Sequence, residues 1–84
     1  MSSLVDSQNY YQDVVAVTEK FLGPAARRFI NRQIEFHIGK PPQNINQSDV
    51  LVLRDTLKIA LGVLVNDKNI IDQAVAEFDK VANK

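Results

Sequence analysis

The sequence predicts an all-α fold, a compact four-helix domain with a long proline-containing loop between its second and third helices. Three observations carry this. Apolar residues recur at three- and four-residue steps in four separate stretches, the spacing of one helical face. Gly-Pro and Pro-Pro pairs punctuate the chain between those stretches rather than inside them. No stretch keeps the clean two-residue alternation of a half-buried strand. With 84 residues the chain has room for one domain and one core, read here as residues 1–84 with 1–6 as a frayed N-terminus.

The first helix precedes Gly23-Pro24. Its face is Tyr11, Val14, Val15, Thr18, Phe21 and Leu22, and Asp6 or Ser7 is placed to accept a hydrogen bond from a free N–H of its first turn. The β-branched Val14, Val15 and Val17 oppose helix through lost χ1 freedom, but Glu19 and Lys20 break any strand-like alternation. Gly23 suits a positive φ that stops this helix, and Pro24 suits the first position of the next. Gly23, Ala25 and Ala26 are also small enough for close helix packing. The second helix then carries Ala26, Phe29, Ile30, Ile34, His37 and Ile38, and Gly39 ends it.

Lys40 to Gln47 reads as the loop, because Pro41-Pro42 opposes helix and Gln43, Asn44, Asn46 and Gln47 are polar. Ile45, its one large apolar residue, is expected to tuck onto the core. Ser48 is the expected N-cap of the third helix, with Asp49 favourably placed against the helix dipole. That helix, Asp49 to Val65, is the most apolar. Val50, Leu53, Leu57, Ala60, Leu61 and Leu64 form one face; Leu51, Ile59 and Val63 widen it until the last two turns are apolar nearly all round. Asn66-Asp67 closes it and caps a last helix with Ile70, Ile71, Ala74, Val75, Phe78 and Val81 on one face.

Composition narrows the function classes. Lys plus Arg equals Asp plus Glu, at 10 each, so the basic excess that supplies non-specific affinity for nucleic acid is missing. There is no cysteine, which removes disulfides, thiolate chemistry and Cys-based zinc sites. The N-terminus lacks the basic and apolar regions of a signal peptide, and the longest nearly uncharged apolar run, Ile59 to Val65, is too short to span a bilayer. A cytoplasmic location is the resulting expectation.

No constellation in the sequence supports catalysis. His37, the only histidine, has Glu35 two residues away, and such a pair does not share a helix face; near a helix end a histidine can simply satisfy carbonyls and the dipole. Pro24 deletes a backbone donor that an anion site at the second helix would need. Ser48-Asp49 reverses the Asp-Ser-Leu order of a carrier-protein attachment site. Arg27, Arg28, Arg32 and Lys40 make the second helix locally basic, read either as a patch for an acidic partner or phosphate, or as a solvated face offset by Glu35. The loop that follows is longer than that of a helix-turn-helix DNA reader.

The stretch Glu19-Lys20-Phe21-Leu22-Gly23-Pro24-Ala25-Ala26-Arg27-Arg28-Phe29-Ile30 resembles a motif of small helical modules at the ends of bacterial signalling proteins, in which an aromatic, an aliphatic, Gly-Pro, a small or aliphatic residue and Ala lead into an apolar helix. The resemblance implies an accessory domain for assembly or regulation and carries over no active-site residue.

The expectation is therefore a non-catalytic protein–protein interaction or oligomerisation module with no cofactor, acting as a homodimer or with another protein. The physical motive is a third helix with more apolar surface than one small core can hide, in a chain without net charge to hold copies apart. The interface candidates are Leu51, Ile59 and Val63 on that helix, the aromatic anchors Tyr10 and Phe36, and the basic Arg28 and Arg32. Phe36 lies off the Phe29-Ile30-Ile34 stripe; packing beneath the proline loop is the alternative for it and for Tyr10. A nucleic-acid-associated regulator using the basic helix, and a small-ligand sensor with a pocket between helices, are the alternative functions.

Overall fold

The computed structural model describes residues 10–83, so the expected frayed segment and its Asp6 or Ser7 cap lie outside the described residues. The fold is all-α, with no strand among the described residues. We label the helices α1 (Tyr10–Leu22), α2 (Ala26–His37), α3 (Gln47–Leu64) and α4 (Lys68–Ala82), with short 3-10 turns at Gly23–Ala25 and Pro42–Asn44.

The count differs from the four separate helices expected. From residue 10 to 37 helical elements follow one another without a gap: α1 passes through the 3-10 turn directly into α2, and Gly23 leaves right-handed helical backbone angles between them. The two are arms of one bent helix, and among the described residues the layout is three helical rods, the first bent. Gly23 makes the bend with a φ of 63°, a conformation that costs glycine nothing but strains any residue with a Cβ. A Cβ built there would meet nothing within 4 Å among the described residues, so Gly23 serves conformation and not the close packing expected of it. The bend brings the arms together: the Tyr11 hydroxyl donates to Asn31 Oδ1 at 2.6 Å, and the Arg27 guanidinium lies 5.8 Å from the Tyr11 ring centroid.

Helix ends explain the other boundaries. Gly39, at a φ of 74°, ends α2, its N–H reaching back to the Ile34 carbonyl at 2.7 Å. Asn66, at a φ of 50°, does the same after α3, its N–H reaching the Leu61 carbonyl at 3.2 Å. Asp67 caps α4 by accepting from the N–H groups of Asn69 and Ile70. At α3 the cap is Asn46 and not the expected Ser48. The Asn46 side chain accepts from the Asp49 N–H at 3.0 Å while the Asp49 carboxylate accepts from the Asn46 N–H at 3.0 Å. This reciprocal box satisfies two helix-end donors at once, which a serine inside the first turn does not do. Lys40 fastens it further with a 2.8 Å bond to the same carboxylate.

One core joins all elements: Val14, Val15 and Val17 of α1, Ile30 and Ile34 of α2, Ile45 of the loop, Val50, Leu53, Leu57 and Leu61 of α3, and Ala74, Phe78, Val81 and Ala82 of α4. Phe78 is its largest fully buried side chain. Thr18 is buried as well, and its hydroxyl donates to the Val14 carbonyl at 2.7 Å, so its polarity is satisfied inside its own helix. The packing is uneven. α3 and α4 make the most extensive contact, α1 lies against α2 and α4, and α2 touches α3 sparsely.

Candidate functional site

That sparse α2–α3 contact positions the candidate site. On α3, Val50, Leu53, Leu57 and Leu61 face the core, while Val52, Thr56, Ile59 and Val63 follow one another at four-, three- and four-residue steps along a different face. Ile59 is 71% and Val63 80% exposed, and Val52 is exposed too. Thr56 is half-buried, its hydroxyl donating to the Leu53 carbonyl at 2.9 Å. Leu64 and Val65 extend the exposed apolar surface at the end of the helix. Leu64 was expected among the core residues but is 67% exposed, because the apolar pattern of α3 outlasts the elements that pack on it.

Between this row and α2 runs a groove of about 290 Å³ lined by Phe29, Gln33, His37, Thr56, Ile59 and Ala60. Phe36, 69% exposed, lies two turns beyond Phe29 on the same side of α2. The groove thus has apolar residues on both helices, Phe29 on α2 and Ile59 and Ala60 on α3, with Gln33 and His37 among them.

The remaining candidates fall elsewhere. Tyr10 and Leu51 are half-buried against the core. Leu51 lies about 80° around α3 from Ile59, on the edge that also carries Asp55, Lys58 and Gly62, and it is half-buried where Ile59 is exposed. Arg28 and Arg32 are exposed and, with Pro24, Arg27, Asn31 and Glu35, line an open depression on the outside of α2. Of the four basic residues, Arg27, Arg28 and Arg32 share this depression, while Lys40 is not among its lining residues. Arg27 is engaged by Tyr11, its Nη1 donating to the Tyr11 hydroxyl at 3.3 Å, and Lys40 is paired with Asp49. His37 is exposed at the end of α2 and borders the groove.

The charged side of the α3 row is built from Asp55, Lys58 and Gly62, all exposed. Arg54 bonds Asp79 of α4 through Nη1 at 2.8 Å and Asp55 through Nη2 at 3.1 Å. The hydrogen bond to Asp79 first, and then Asp55, raise its pKa against the opposing effect of burial. Since arginine is charged at any ordinary pH, the consequence is geometric: α3 is clamped to α4 and Asp55 is oriented beside the row. Lys58 has no ion pair among the described residues. Gly62 is a mid-helix glycine whose added Cβ would meet nothing within 4 Å among the described residues. Such a glycine costs about 0.5–1 kcal/mol relative to alanine.

Sequence reading found Ile59, Val63 and Phe36 but missed Val52, Thr56 and Gly62. The signal for the first two was the repeat itself: a second apolar row with its own three- and four-residue spacing, besides the row that fills the core. No three or more His, Asp or Glu side chains converge as a metal site among the described residues, and no helix there is long and apolar enough to cross a membrane. No family model matches the chain, and no curated protein or solved structure shows significant similarity to it.

Proposed function

We propose that the chain is a non-catalytic protein–protein interaction module that self-associates as a homodimer through the outer face of α3 and the adjoining Phe36. One observation carries the reading: Val52, Ile59, Val63 and Leu64 on α3, with Phe36 beside them, are large apolar side chains left in water by a core that is otherwise closed. Apolar surface gains about 25 cal/mol per Å² on leaving water, so exposed apolar side chains of this size favour association. Zero formal net charge offers little repulsion against it. The assembly or regulatory role implied by the motif around Gly23-Pro24, in a cytoplasmic setting, belongs to the same proposal.

Sedimentation velocity over a concentration series up to tens of micromolar tests it. A concentration-dependent shift from monomer to dimer, abolished by Ile59→Asp, is the expected result. A monomer at every concentration overturns self-association.

A further inference from the structure

Self-association leaves the arrangement of the two copies open, and α3 itself specifies one. Resting on the reading above, we propose that the second copy packs antiparallel along the outer row of α3, with Val52 opposite the other copy's Val63 and Thr56 opposite its Ile59.

The first argument is register. The row Val52, Thr56, Ile59, Val63 has spacings of four, three and four, which read the same in both directions. A two-fold axis perpendicular to the helix and level with the bond between Leu57 and Lys58 therefore maps the row onto itself, end valine upon end valine. An interface between identical copies must be self-complementary in this way. The step pattern is that of knobs fitting between residues of a facing helix, over a contact about 16 Å long.

The second argument is the edge of the row away from α2, where Asp55, Lys58 and Gly62 lie. In the antiparallel arrangement like edges meet. Asp55 then comes level with position 60 of the other copy, midway between its Lys58 and its Gly62. Lys58, exposed and without an ion pair among the described residues, supplies the opposite charge, and the two-fold axis makes the pair twice. Gly62 leaves room for the approach. That gives a reason for a glycine inside a helix where nothing among the described residues crowds it. The same operation sets both α2 helices on the opposite edge, so the two Phe29–Ala60 grooves lie side by side.

The chain has no cysteine, so introduced ones report contacts without background. Val52→Cys and Val63→Cys are each made in the full chain at exposed positions and oxidised mildly, alone and mixed. The expected result is efficient disulfide-linked dimer from the mixture and little from either variant alone. Strong cross-linking of each variant to itself indicates a parallel pair and overturns the register. No cross-link in any sample, with the wild type still dimeric in sedimentation, places the contact elsewhere and overturns it too. A wild type that stays monomeric removes the underlying association instead, so the two failures are told apart. Gly62→Ala supplies an independent readout. The added methyl should weaken the dimer roughly tenfold while leaving the monomer's melting temperature unchanged or higher. Unaltered dimer affinity would count against close approach at Gly62.

Discussion

α3 and α4 pack against each other more extensively than any other pair, yet their outer faces are opposites. α4 is amphipathic in the ordinary sense: Ala74, Phe78, Val81 and Ala82 are buried, while Lys68, Asp72, Gln73 and Lys80 face water. α3 buries one row just as fully and then displays a second apolar row where α4 displays charges. The first pattern is explained by the protomer alone. The second is not, because a helix gains nothing inside its own domain from valine and isoleucine turned to solvent. A core row thus accounts for stability, and a surplus row on a helix already anchored is where association is to be sought.

The largest expected effect tests the buried side of this contrast. Phe78→Ala empties the largest fully buried side chain and should cost about 3–5 kcal/mol, measured by chemical denaturation. For a domain of this size that is a substantial share of the total stability. A loss below about 1 kcal/mol would mean that Phe78 does not hold the core together.

Next comes the exposed side. Ile59→Asp removes no core contact, since its side chain is mostly in water, and should leave the stability of the monomer within about 0.5 kcal/mol of wild type. Its effect belongs in the dimer, where a buried unpaired carboxylate should weaken association at least tenfold, on the order of 1.4 kcal/mol or more. Because dimerisation stabilises by mass action, the melting temperature of the wild type should rise with concentration and that of Ile59→Asp should not. Equal concentration dependence in both proteins would remove the α3 row from the interface.

A smaller effect concerns how α3 is started. Asn46→Ala removes the side-chain half of the capping box and should cost about 1 kcal/mol, whereas Ser48→Ala, at an exposed position inside the first turn, should cost little. The reverse ranking would show that the helix begins later than Asn46.

These residues also show how far the sequence was legible. Periodicity located all four helical stretches and nearly all of the core, because burial on one face leaves a direct imprint on residue spacing. Ile45 was foreseen for the same reason, as the lone large apolar side chain in a polar loop. Gly23 was recognised as a stop, but not as a bend in continuous helix; a glycine with positive φ looks alike in sequence whether the chain leaves helical structure or turns through it. The α3 cap was misplaced because Asn46 and Ser48 are both good caps, and only the reciprocal bond with Asp49 decides between them. At the candidate site, surplus apolarity was visible, but its direction was not. Whether Leu51, Ile59 or Leu64 is the outward one depends on which side of α3 its neighbours occupy, and that is set by tertiary packing.

The smallest expected effect is on the outer face of α4, and it is the control that gives the larger ones meaning. Lys68 and Asp72 form an exposed pair at 2.9 Å, one helical turn apart. Exposed pairs of this geometry contribute only about 0.3–0.5 kcal/mol, because water screens the attraction and ordering two long side chains costs entropy. Asp72→Ala should therefore shift stability by a few tenths of a kcal/mol and leave sedimentation unchanged. It removes a carboxylate from one helix where Ile59→Asp adds one to the other, so both variants alter charge by one unit on an exposed face. Starting from zero net charge, each leaves every copy with one unit of like charge, so if net charge alone governed association the two would weaken it by similar amounts. If the apolar row governs it, only the α3 substitution has an effect, and the difference between the two outer faces becomes a measured quantity.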